Sequence, residues 1–307
     1  MDKSKWTSEA VSDAVLSNSQ HLEIVMSNYF QAFIGRIGEC NIDIQSISGI
    51  DQLHQKVLEG IERLEPLRED FISVVEIFAP SNHPLLKKYL PTFFEKLLNF
   101  YDEVGINLYT GTGADLLRND HYRFFNQYLF ISLTALLLDY ECFDVLYALL
   151  HCRFKVYYRY YENVREVNFM RFREYNYTLN EFLNTRQPKR ISVTADYIAN
   201  STSAVEFNKF IRADILLYYI SLWNPSSEVL DPYWYPELSV YNRESNILPH
   251  LISRSYFEKA KVLFGVNNIE QYRSLLDGTN DRMQRGGLYR VPQLKTGLMY
   301  DLVGSQE

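Results

Sequence analysis

The chain has 307 residues, 47% of them hydrophobic, which is material for a sizeable core and for about two domains of ordinary size. Ten prolines and thirteen glycines are too few for an all-β chain, with its many tight turns, or for a disordered one. A net charge of −7 and a pI near 5.5 offer no global attraction for nucleic acid or for an anionic membrane.

Residues Met1 to Ala10 are polar and lack the apolar block of a secretory leader. The first predicted helix runs from about Ser8 to Ile37, because Val11, Val15, Leu22, Val25, Tyr29, Phe33 and Ile37 recur every three or four residues for most of its length. A linker over Cys40 to Ser48 precedes a second helix, about Asp51 to Glu65, with Leu53, Val57, Ile61 and Leu64 facing inward. Pro66 is expected to start a third helix that ends at Ala79-Pro80, since proline is tolerated in a first turn and breaks an interior one. A fourth helix opens at Asn82-His83-Pro84, with Pro91 kinking or splitting it.

Residues 106 to 118, with Thr110-Gly111-Thr112-Gly113, form the clearest internal loop. The most apolar run, Tyr128 to Cys152, contains Asp139, Glu141 and Asp144. Three carboxylates within a span would be expensive in lipid, so the run predicts two buried helices meeting at a turn, about Asn119 to Tyr140 and Phe143 to Tyr161, and no membrane association. Another helix is expected over Val164 to Asn184. The basic connector Thr185 to Arg190 then suggests two helical domains, 1–187 and 188–307.

Beyond it come helices over Ser192 to Asn200 and Ser203 to Trp223, and an irregular or β-hairpin segment near 224–246. Helices over Pro249 to Phe264 and Ile269 to Leu276 follow, and the last thirty residues read as weakly structured. The fold class is therefore all-α, a multi-helix bundle with two packed helical subdomains.

Few residue constellations carry chemistry. The glycines of 110–113 lack the lysine and the preceding strand of a phosphate loop, which favours a plain turn. Asp115, Arg118, Asp120, His121 and Arg123 form the densest mixture of titratable types. Arg118 and His121, three apart, would share a helical face, where an arginine–histidine pair stabilises anionic charge and moves a proton. Capping of a helix start explains the same residue types more simply. Asp214 falls near the inward face of its helix, where a carboxylate must be hydrogen-bonded, paired or protonated; the choice is between a structural pair and a site acid. No metal-ligand spacing occurs, and no cofactor or metal is expected.

One charge asymmetry stands out. Between Arg153 and Arg190 nine basic residues meet four acidic ones, interleaved with tyrosines and phenylalanines that include Tyr157, Tyr158, Tyr160, Tyr161, Phe169 and Phe172. Arg153, Lys155, Tyr157, Arg159 and Arg165 are the candidate binding residues within it. Cations with aromatic faces suit single-stranded nucleic acid, and they suit an acidic protein partner equally. The favoured expectation is a non-catalytic interaction or regulatory module of a larger complex, with a protein partner. The alternative is a nucleic-acid-binding protein or nuclease subunit, of the kind found in prokaryotic antiviral defence. Cys40, Cys142 and Cys152, an odd number without framework spacing, suit a reducing cytoplasm.

Overall fold

A computed structural model describes residues 6–17, 19–43, 46–101, 117–158, 162–186, 191–224, 233–242, 245–279 and 290–307. The protein is an all-α multi-helix assembly with one short antiparallel hairpin among the described residues. It divides into two compact units, Met1–Leu133 with Cys152–Lys189, and Thr134–His151 with Arg190–Glu307. No described helix is long and apolar enough to cross a membrane.

The first unit holds α1 (Ser8–Leu16), α2 (Leu22–Gly38), α3 (Ile50–Phe78), α4 (Pro84–Leu98) and the start of α5 (Asp120–Asp139). One long first helix was expected; instead the polar run after Leu16 separates α1 from α2. The Ser17 hydroxyl donates back to the Asp13 carbonyl, and the Ser19 N–H to that of Ala14, so local bonds compete with the helical ladder. Conversely, α3 passes straight through Pro66 where two helices were expected. The apolar stripe Leu53, Val57, Ile61, Leu64, Phe71, Val75 is buried on both sides of the proline, and its burial outweighs one lost hydrogen bond. Likewise α4 runs unbroken past Pro91, with His83 Nδ1 accepting the Leu85 N–H at its start.

Rings form the spine of this unit. Phe93 stacks on Phe71 at 4.9 Å, Phe94 meets Phe130 edge-on at 5.2 Å, and Phe130 stacks on Phe172 at 4.7 Å. Phe172 then touches Phe154 at 5.2 Å, so the aromatic chain runs from the helices into the segment that follows. That segment is not the continuous helix predicted, and only its later part is helical. Residues Phe154–Tyr158 and Asn163–Val167 are strands β1 and β2, followed by a 3₁₀ turn (Phe169–Phe172) and a π-helical turn (Thr178–Leu183). The buried residues of β1, Phe154 and Val156, alternate with exposed Lys155 and Tyr157; period two wins over period three or four.

The second unit holds the end of α5, then α6 (Phe143–Leu150), α7 (Val193–Ser201), α8 (Ala204–Trp223), α9 (Arg254–Ala260) and α10 (Ile269–Gly278). Every residue of α8 from Ala213 to Leu222 is buried, making it the unit's central element. The expected irregular segment carries a 3₁₀ helix, Glu237–Tyr241, and no strand among its described residues. Residues 290–307 are more ordered than expected. Leu294, Leu298 and Val303 are buried, Tyr272 donates to the Leu298 carbonyl at 2.6 Å, and Gln306 exchanges backbone bonds with Ile252 and Arg254. Gly297 is needed there, since any Cβ would collide with the Tyr219 ring.

Candidate functional site

The hairpin orders the basic-aromatic stretch. Its register pairs Lys155 with Glu166 and Tyr157 with Val164, so these four side chains share one face. That face is solvent-exposed: Tyr157 is 50% exposed and Val164 60%. Arg153, just before β1 and of the same parity, is exposed as well. The opposite face plants Phe154, Val156 and Val167 in the core. On the α4 side, Glu95 accepts the Lys155 backbone N–H at 2.7 Å, which fixes the strand against that helix. Glu162 closes the turn in the left-handed region, at φ 47°. Arg165 is exposed but sits opposite Val156, on the other parity; Arg159 and the 110–113 loop lie outside the described residues.

The titratable cluster near the start of α5 is an internal scaffold. Asp120 is wholly buried, binding Arg123 at 2.9 Å and accepting the Thr178 N–H at 2.7 Å. Arg123 continues to Glu174 at 2.9 Å, and the Asn176 side chain donates to the Asp120 carbonyl. Asp120 therefore caps the π-helical turn and not its own helix. Burial pushes its carboxyl above the usual range, against the pull of Arg123 and the Thr178 N–H.

His121 points elsewhere. It is fully buried, its ring 3.9 Å from that of Tyr122 and pressed against Gly60 of α3, where an added Cβ would lie 3.0 Å from the imidazole. Its nitrogens find no well-formed hydrogen bond; burial holds the ring neutral, down to about 3, with backbone groups of Cys40 and Arg118 opposing that effect. Arg118 is half-buried on the preceding turn. Asp214, also fully buried, accepts the Trp234 indole N–H at 2.6 Å and the Leu238 N–H at 2.8 Å. The Ser221 hydroxyl, two turns along α8, accepts the Trp234 N–H at 3.0 Å. Asp214 and Ser221 thus dock the 233–241 segment onto α8.

No family model, curated protein or solved structure matches this chain. Function must be argued from its own geometry. Among the described residues no group of three or more His, Cys, Asp or Glu is placed to hold a metal ion.

One feature escaped sequence reasoning. In the second unit a half-open cleft of about 160 Å³ has an apolar floor from Ala135, Leu138, Ile247, Leu248 and Pro249. It is also lined by the ion pair of Lys209 with Asp139 and by Glu141, whose partner Lys259 lines an adjoining hollow, each pair at 2.6 Å. Arg212, His250 and Tyr256 complete the wall. These residues come from α5, α8, α9 and the turn before α9, so no local spacing links them. The nearest signal was Lys209, which in a helical pattern reads as an ordinary surface cation.

Proposed function

We propose that the protein is a non-catalytic interaction module that docks a protein partner on the outer face of its hairpin. The observation that carries this reading is the register, which sets Tyr157 and Val164 side by side in solvent with Arg153, Lys155 and Glu166 around them. An exposed aromatic beside a β-branched residue, ringed by charge, has the composition of an interface centre with a polar rim. The opposite face is tied into the aromatic spine, so the surface is rigid and little entropy is lost on binding.

The mixture of charges favours protein over nucleic acid. Glu166 lies across from Lys155, Glu95 lies beside it, and Arg171 is bound to Glu174, so carboxylates stand among the cations of this surface. Carboxylates on the partner would meet Arg153 and Lys155 around a central apolar contact. The three free cysteines fit a reducing cytoplasm: burial raises the thiol of each, that of Cys142 to about 11, and so suppresses the reactive thiolate.

The test is to isolate the protein with its bound partner from its native host and measure affinity for the Arg153→Glu/Lys155→Glu variant. Weakening of protein binding by about tenfold or more, with a Lys56→Glu control unchanged, is the expected result. Retention of a nuclease-sensitive, salt-dependent oligonucleotide in place of a protein would replace this reading with the nucleic-acid one.

A further inference from the structure

We infer that the outer edge of β2 takes up an extended segment of the partner as a third strand of the sheet. This rests on the docking reading above and names the form in which the partner binds. The register shows which backbone groups are open to it. The Lys155 N–H points away from β2, since it is donated to Glu95 on α4. In an antiparallel ladder, residues directly opposite one another turn their N–H and C=O groups either both towards the other strand or both away from it. Glu166, opposite Lys155, and Val164, two residues before it, therefore turn theirs to the far side of β2. Among the described residues nothing bonds them there, and Asn163 to Glu166 are all exposed.

Two donor–acceptor sets, two residues or about 7 Å apart along the strand, match the backbone of an extended peptide. A helix satisfies its own backbone and offers no such row. The other edge of the sheet has α4 beside it, so growth is from β2.

The side chains on the edge choose between a second copy of this chain and a different one. Outward-pointing residues pair only with one another, so a two-fold β2–β2 junction centres on Val164, Arg165 or Glu166. The first sets Glu162 against Glu166, the second crowds Arg165 against Arg165, and the third sets Glu166 against Glu166. Like charges directly opposite are destabilising, so the edge rejects itself. A different chain meets it by placing Lys or Arg opposite Glu166, which makes no ion pair among the described residues. A β-branched residue opposite Val164 extends the apolar row that Tyr157 and Val164 begin. In the antiparallel sense, the more stable one, the occupant reads Lys/Arg, any residue, then Val or Ile.

The probe is the end-blocked peptide Thr-Thr-Lys-Thr-Val-Thr-Thr, whose Lys and Val fall opposite Glu166 and Val164. Calorimetric titration of the full chain should give saturable binding with Kd below about 1 mM, and NMR should show slowed amide exchange at Val164 and Glu166. Glu in place of the peptide's Lys should weaken binding about fivefold. N-methylation of its Val, which removes the N–H donated to the Val164 carbonyl, should weaken it about tenfold. Glu166→Pro removes an outward N–H and no ladder bond, which an edge strand tolerates, and should bind about tenfold more weakly than Glu166→Thr. If Glu166→Pro disturbs the hairpin, the N-methylated peptide makes the same test on the unaltered chain. No saturable binding up to about 5 mM, or equal affinity of the N-methylated and parent peptides, overturns the proposal. So does a dimer of the chain that Glu166→Pro dissociates, which assigns the edge to a second copy. A peptide that does not bind, beside a native partner still weakened by Arg153→Glu/Lys155→Glu, removes the third strand and leaves the docking face standing.

Discussion

Trp234 donates its indole N–H to Asp214 at 2.6 Å, and both side chains are completely buried. This bond, with that of the Leu238 N–H to the second carboxylate oxygen, holds a proline-flanked segment on the central helix of its unit. A buried carboxylate that accepts two N–H groups is stabilised where an unbonded one would be costly.

Asp214→Ala should therefore destabilise the protein by about 2–4 kcal/mol, since two buried donors lose their acceptor. Asp214→Asn, which keeps one carbonyl acceptor, should lose about half as much. Urea unfolding monitored by tryptophan fluorescence reads both, and near-neutral behaviour of the alanine variant would contradict the docking role.

Asp120, Arg123 and the part-buried Glu174 form a charged relay joining α5 to the turns that follow the hairpin. Removing the middle member in Arg123→Met leaves the buried Asp120 carboxylate without its cation, while Glu174 keeps Arg171, at a cost of about 3–5 kcal/mol. Denaturant titration checks this. A loss under about 1 kcal/mol would show that the network relaxes to other partners.

The pH dependence of stability contains a contribution from His121. Its folded pKa is depressed to about 3 by burial, while an unfolded histidine titrates near 6.5. The stabilising difference is fully present above pH 6.5 and is lost as pH falls towards 3, because only the unfolded chain takes up the proton in that window. The slope from this residue approaches about 1.4 kcal/mol per pH unit. His121→Phe should flatten the curve between pH 6 and 4 by that amount; an unchanged slope would mean that the ring is already protonated when folded.

Gly60 and His121 should be coupled. Alanine in a helix interior is worth about 1 kcal/mol over glycine, but the new Cβ would meet the imidazole at 3.0 Å. Gly60→Ala is expected to destabilise the native protein by about 1–2 kcal/mol and to stabilise the His121→Ala background. Additive effects in the four-way cycle would refute the close fit.

These particulars show what was legible in advance. Helices were readable wherever a stripe such as Leu53, Val57, Ile61, Leu64 spans several turns, because burial of that stripe is what makes the helix. Their ends were less so: Pro66 carries a strong local signal that tertiary burial overrides. The hairpin was missed because its alternation lasts five residues, inside an aromatic run that also suits a helix. Asp214 was readable as a buried carboxylate needing partners, but Trp234, twenty residues on, was not identifiable as one. The burial of His121 depends on Gly60, sixty-one positions earlier, and the cleft on four separate segments; no local period encodes either.

The outer face of the hairpin is the proposed docking surface for the partner. Photo-crosslinking in the native host, from a benzophenone side chain at position 157, 164 or 56, addresses that directly. The expected result is one and the same protein captured from 157 and 164 and not from 56 on α3. Capture from 56 alone, or none from either hairpin position, would contradict it.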